Sequence, residues 1–192
     1  MKTTRNKNLN TLLVAIVVLL AGTACSSDDP EMVNEEELIT TVNVTFTNTA
    51  MASDVVNVSF RDLDGPGGTD PVIGDLTLSA NAEYTFTIEF LNEQETPVED
   101  ITAEVREEGT DHQVFFLIGG TANIVTTYGD QDTNGNPIGL IGTATTGDAS
   151  NGTFAIVLVH EPTKSATGVN AGNIGGAGGE EDIRVQFDLR IQ

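Results

Sequence analysis

Residues 183–191 read IRVQFDLRI. Ile183, Val185, Phe187, Leu189 and Ile191 alternate with Arg184, Gln186, Asp188 and Arg190. An apolar period of two gives a strand with one buried and one wet face. The same period recurs upstream. Val42, Val44 and Phe46 alternate with Asn43, Thr45 and Thr47, and Val56, Val58 and Phe60 with Asn57, Ser59 and Arg61. Tyr84, Phe86, Ile88 and Phe90 alternate with Thr85, Thr87 and Glu89. Ile101, Ala103 and Val105 read the same way, and Leu76 and Leu78 form a short segment. Phe154–Val159 is almost wholly apolar, which predicts a central strand covered on both faces. His112–Ile118, Asn123–Tyr128 and the Gly-rich Ile138–Thr145 complete about ten strands.

Turn signals separate these runs: Asp64–Gly68, Asn92–Pro97, Gly119-Gly120, Asn134-Gly135 and Asn151-Gly152. Asn151-Gly152 reads as a hairpin turn, because both residues tolerate positive φ. No segment carries a helical repeat of apolar residues. Regular short strands without helices predict an all-β fold, here a single antiparallel β-sandwich, immunoglobulin-like or jelly-roll-like, over residues 38–192. Residues 168–179, GVNAGNIGGAGG, read as a flexible loop before the last strand. They are not a phosphate cradle, because acidic Glu180-Glu181-Asp182 follows where such a loop needs Lys and Ser or Thr.

The N-terminus has a different character. Lys2, Arg5 and Lys7 precede the ten-residue apolar run Leu12–Ala21, too short to span a bilayer and suited to a signal peptide over residues 1–24. Gly22-Thr23-Ala24 leads into Cys25, the only cysteine. That placement predicts lipidation of Cys25, with Gly22 standing where the acceptor motif has an aliphatic residue. Ser26-Ser27-Asp28-Asp29 resembles a signal for the outer membrane and the cell surface. Residues 25–37 form the acylated cysteine and a tether with six acidic residues and nothing apolar to bury in a repeat.

Eight Lys and Arg face 29 Asp and Glu, a formal charge of −21. Removing the signal peptide removes three of the basic residues and no acidic one. A surface this acidic excludes nucleic acid as a partner, since phosphate contacts require clustered Lys and Arg. The membrane is expected as a partner through the lipid alone.

Two constellations stand out. Asp130, Asp132 and Asn134 lie at alternate positions ahead of Gly135, the opening of a calcium loop. Ile141 stands where an EF-hand has its bidentate Glu, so an EF-hand is excluded and a partial calcium loop or a polar turn remains. His112 and His160 are the two histidines, each beside a carboxylate, Asp111 and Glu161. If their strand ends coincide, they form a candidate transition-metal site; otherwise they are independent edge residues. HExxH and GxSxG are absent, and nothing singles out a carboxylate pair for glycoside hydrolysis.

The segments DDPEMVNEEELITTV, EEGTDHQVFF, YGDQDTNGNPIGL, FAIVLVHEPTK and GGEEDIRVQFDLRIQ together resemble a family of small Bacteroidota outer-membrane lipoproteins. Its members often carry the automatic name "type 1 periplasmic binding fold superfamily protein". That name implies an α/β fold, against the strand pattern here. The resemblance implies proximity to TonB-dependent receptors and nutrient capture, and it transfers no site residue. The expected function is a non-enzymatic, surface-exposed lipoprotein that binds a ligand or a membrane partner. The alternatives are a structural or adhesive envelope protein and an unrecognised polysaccharide hydrolase.

Overall fold

Eleven strands among the described residues form two sheets. The computed structural model describes residues 37–65 and 67–192; the expected signal peptide, Cys25 and the expected tether up to residue 36 lie outside them. The larger sheet has the order β3 (Val72–Ile73), β2 (Val55–Arg61), β1 (Thr41–Asn48), β5 (Glu83–Asn92), β9 (Ile141–Thr146) and β8 (Ile124–Tyr128), with β6 (Glu99–Asp100) on the end of β5. The smaller sheet has the order β4 (Leu76–Leu78), β11 (Glu180–Ile191), β10 (Ser150–His160) and β7 (His112–Gly120). All pairs are antiparallel except β4 with β11. The architecture is the all-β sandwich that the period of two dictates.

The inward residues are those the alternation selects. Val42, Val44 and Phe46 of β1 and Tyr84, Phe86, Ile88 and Phe90 of β5 are buried. They face Phe154, Ile156 and Leu158 of β10 and Val185, Phe187, Leu189 and Ile191 of β11 in one cluster. Phe154 lies 5.9 Å from Phe46 and 6.3 Å from Phe86, both edge-on, and so joins the two sheets. Each fully buried Phe contributes roughly 1.5–3 kcal/mol through apolar burial. The outer face of the larger sheet is polar. Thr47, Thr85, Thr143 and Thr127 stand in register across β1, β5, β9 and β8.

β10 is covered on both faces, as its apolar run requires. Its second face, Val157 and Val159, packs with Phe115 of β7 and with Val169 and Ala177. The last two belong to the glycine-rich segment, which is therefore not the flexible loop its composition suggests. It folds into two 3-10 turns, Val169–Ala171 and Ile174–Gly176. Gln113 Nε2 donates to the Val169 carbonyl at 3.0 Å and fastens this cover to β7. Burial of Val169 and Ala177 and the bond from Gln113 oppose the entropy that the segment loses on ordering.

Two further expectations are corrected. Residues 101–105 are not a strand but part of a helix, α1 (Ile101–Glu107). Ile101 and Val105 are buried and Ala103 is exposed. Positions i and i+4 satisfy a period of 3.6 as well as a period of two; exposed Ala103 and buried Thr102 distinguish them. Thr102 secures the helix: its hydroxyl accepts from the Phe90 N–H at 2.9 Å on the rim of β5. Asn151-Gly152 is not a turn but lies inside β10, opposite Arg190 and Leu189. A side chain at position 152 would run into Gly119 and Ala122, so the glycine serves close strand approach.

Candidate functional site

The pairing of β7 with β10 sets the first residue of one, His112, opposite the last residue of the other, His160. The imidazoles stack with centroids 4.6 Å apart and planes 9° from parallel. The strand ends thus coincide and the two histidines meet. A metal lies in the plane of the imidazole that binds it, along a nitrogen lone pair. Stacked parallel rings share no such point, so His160 braces the His112 ring and does not join it on one ion. The glycine at 179 allows this corner, because a β-carbon there would strike the His160 carbonyl oxygen.

His112 is buried, with a side chain 1% exposed. Its Nδ1 lies 3.2 Å from the Glu108 carbonyl, one turn back at the end of α1. A carbonyl only accepts, so Nδ1 carries the hydrogen and Nε2 presents a lone pair. Burial pushes the His112 pKa down, against an upward pull from its bond to Glu108, which favours this neutral form. Nε2 has no hydrogen-bond partner. Glu37 Oε1 lies 3.5 Å from it and Asp182 Oδ2 4.0 Å.

A bulge aims Asp182 at this nitrogen. Leu158 of β10 faces Ile183, but its neighbour Val159 faces Glu181, leaving Asp182 as the extra residue of β11. Bulges of this kind redirect a side chain that the strand period would turn outward. The Asp182 side chain is only 2% exposed. Glu37 reaches the same place from the chain ahead of β1. Its carboxyl pKa is raised to about 7, first by burial and then by the negative charges of Glu104, Asp182, Glu108 and Glu99. Among the described residues, ligand atoms of Glu37, Glu108 and His112 come within 4.8 Å of one another. The arrangement can hold a proton on Glu37 or take a cation.

The sequence pointed to His112 and His160 and missed their carboxylate partners. Asp111 and Glu161, adjacent in sequence, are exposed. Glu37 looked like tether, and Asp182 reverses its face only because of the bulge. Glu108 alone had a local signal, four residues before His112.

The loop of Asp130, Asp132 and Asn134 is built differently from a calcium loop. Asp130 accepts from the backbone N–H groups of Gly139, Leu140 and Ile141 at 2.7, 2.9 and 3.1 Å. Asp132 accepts from the N–H groups of Asn134 and Asn136 at 2.8 and 2.9 Å. Asn134 is exposed, and its backbone N–H is what it contributes here. The cation is internal. Lys164, 5% exposed, sends Nζ to Asp132 Oδ2 at 3.1 Å, to the Pro137 carbonyl at 2.9 Å and to the Gly109 carbonyl. Burial pushes the Asp132 pKa up, but the Asn136 N–H and Lys164 outweigh it and hold the carboxyl below its usual range. The carboxylates of Asp130 and Asp132 are thus engaged by an ammonium and by backbone donors. Beside them lies a cleft of about 460 Å³ bordered by Tyr128, Asp130, Gln131 and Asn170.

No family model, curated protein or solved structure matches the chain.

Two predictions follow from these groups. Lys164→Met removes one partner of a buried pair and leaves Asp132 and two carbonyls short of a donor. It should cost about 3 kcal/mol in urea unfolding. Adding Asp132→Asn should give a double variant that loses less than the two single losses combined; strict additivity would mean the pair is not coupled. Glu37 has a folded pKa above the unfolded value of about 4.5, so the native state binds the proton more tightly. Its contribution to stability therefore falls as pH rises from about 4.5 to about 7. His112 works in the opposite sense, since its depressed value favours folding as pH rises through the ordinary histidine range. Glu37→Gln removes only the first effect. In metal-free buffer at pH 8 the variant should be more stable than wild type by about 1–2 kcal/mol, a difference that vanishes near pH 4. A difference independent of pH would contradict the raised carboxyl.

Proposed function

We propose that this chain is a lipid-anchored lipoprotein of the outer membrane, exposed at the cell surface, that binds a ligand or a membrane partner without catalysing a reaction. The observation that carries the reading is the position of the only cysteine. Cys25 follows a basic segment and a ten-residue apolar run, and precedes Ser26-Ser27-Asp28-Asp29. Acyl chains on Cys25 supply the hydrophobic contact that holds such a protein at a membrane. Among the described residues, no helix is long and apolar enough to cross one.

The cleft beside residues 128–137 supports binding of a small polar ligand. Its carboxylate, Asp130, is spent on three backbone N–H groups. The cleft therefore offers amide groups from Gln131 and Asn170 rather than a free base. The resemblance to Bacteroidota lipoproteins extends the proposal to capture of nutrients beside a TonB-dependent receptor.

The test is membrane fractionation of cells expressing the full chain. Wild type should pellet with outer membranes, and Cys25→Ala should move to the soluble fraction. Retention of the variant in the pellet after a high-salt wash would contradict anchoring by lipid alone.

A further inference from the structure

The geometry points to a binding site for a divalent transition metal of the zinc class, formed by His112 Nε2 with the carboxylates of Glu37, Asp182 and Glu108. The inference does not rest on the lipoprotein reading. Its first support is an imidazole lone pair that the fold has fixed and left unused. His112 is buried, its Nδ1–H is given to the Glu108 carbonyl, and Nε2 has no hydrogen-bond partner. Metal-binding histidines are held in the same manner, with the second nitrogen donating to a carbonyl or carboxylate that sets the tautomer.

Spacing is the second support. Two ligand atoms, each about 2.1 Å from a tetrahedral zinc ion, stand about 3.4 Å apart. Glu37 Oε1 and His112 Nε2 are 3.5 Å apart. Asp182 Oδ2 lies 4.0 Å from the same nitrogen and adds a carboxylate at the edge of this group. Glu108 offers a further oxygen within 4.8 Å of the Glu37 and His112 ligand atoms.

Charge is the third. Carboxylates of Glu37, Asp182 and Glu108 share one corner and repel one another. A divalent cation removes that repulsion. One imidazole with oxygen ligands suits zinc and its first-row neighbours better than calcium or magnesium, which take oxygen alone. The site draws its ligands from the chain ahead of β1, the end of α1, the start of β7 and the bulge of β11. A bound ion therefore ties the N-terminal segment of the described domain to the smaller sheet.

The experiment is calorimetric titration of zinc into the full chain, purified in detergent, stripped with chelator and held at pH 7.5, with melting curves alongside. The expected result is one zinc per chain and a rise in Tm of several degrees, with magnesium at the same concentration giving neither. Glu37→Ala, whose residue lies outside both sheets, should fold and should lower zinc affinity at least tenfold. Glu108→Ala, on the exposed end of α1, should also weaken binding. Absence of saturable zinc binding would overturn the proposal. So would a zinc affinity unchanged in both variants, because the ion would then be held elsewhere.

Discussion

β10 is buried on both faces, and most of the structure answers that constraint. Its inner residues Phe154, Ile156 and Leu158 require the larger sheet opposite them. Its outer residues Val157 and Val159 require a cover, which the segment carrying Val169 and Ala177 provides. Pairing with β7 on one side and β11 on the other satisfies its backbone groups, since a strand with both faces dry has no water to turn to. The register of the first pairing brings His112 to His160. The second pairing shifts register after Leu158, and the bulge there leaves Asp182 as the extra residue. The polar corner is thus a consequence of how the most apolar strand ends.

That corner holds polar groups at depth without full hydrogen bonding. Unsatisfied buried polar atoms cost roughly 1–3 kcal/mol each, and Glu37 Oε2 and His112 Nε2 are both in this state. The Lys164 site shows the opposite solution. There an acidic loop that resembles a cation site carries its own ammonium and satisfies its carboxylates internally. Two acidic corners of one domain therefore differ in kind. One satisfies its carboxylates internally, and the other leaves an imidazole nitrogen and a carboxylate oxygen without a hydrogen bond.

Much of the fold was legible because the period of two survives in nearly every strand. The exceptions have local causes. In α1 the apolar pair Ile101 and Val105 fits either period, and the Thr102 bond to β5 that decides for the helix is tertiary. Gly152 looked like a turn residue because a sequence does not show that another backbone passes at contact distance. The glycine-rich cover looked flexible because its apolar residues Val169, Ile174 and Ala177 are spread among glycines and asparagines without a repeat. The site was half legible. His112 and His160 were visible as the two histidines at strand ends, whereas Asp182 depends on a one-residue slip in register and Glu37 on a contact from outside the sheets. The partner of Asp132 was hidden for a similar reason, since Lys164 is remote from it in sequence.

The central claim is that the fold presents a neutral His112 with its Nε2 lone pair directed at Glu37 and Asp182. Proton–nitrogen correlation spectra of the metal-free chain at neutral pH test it most directly, because the two ring nitrogens shift differently when protonated and when bare. The account predicts a His112 ring with hydrogen on Nδ1 and none on Nε2. A His112 ring protonated at Nε2, whether as the other tautomer or as the imidazolium, would contradict it.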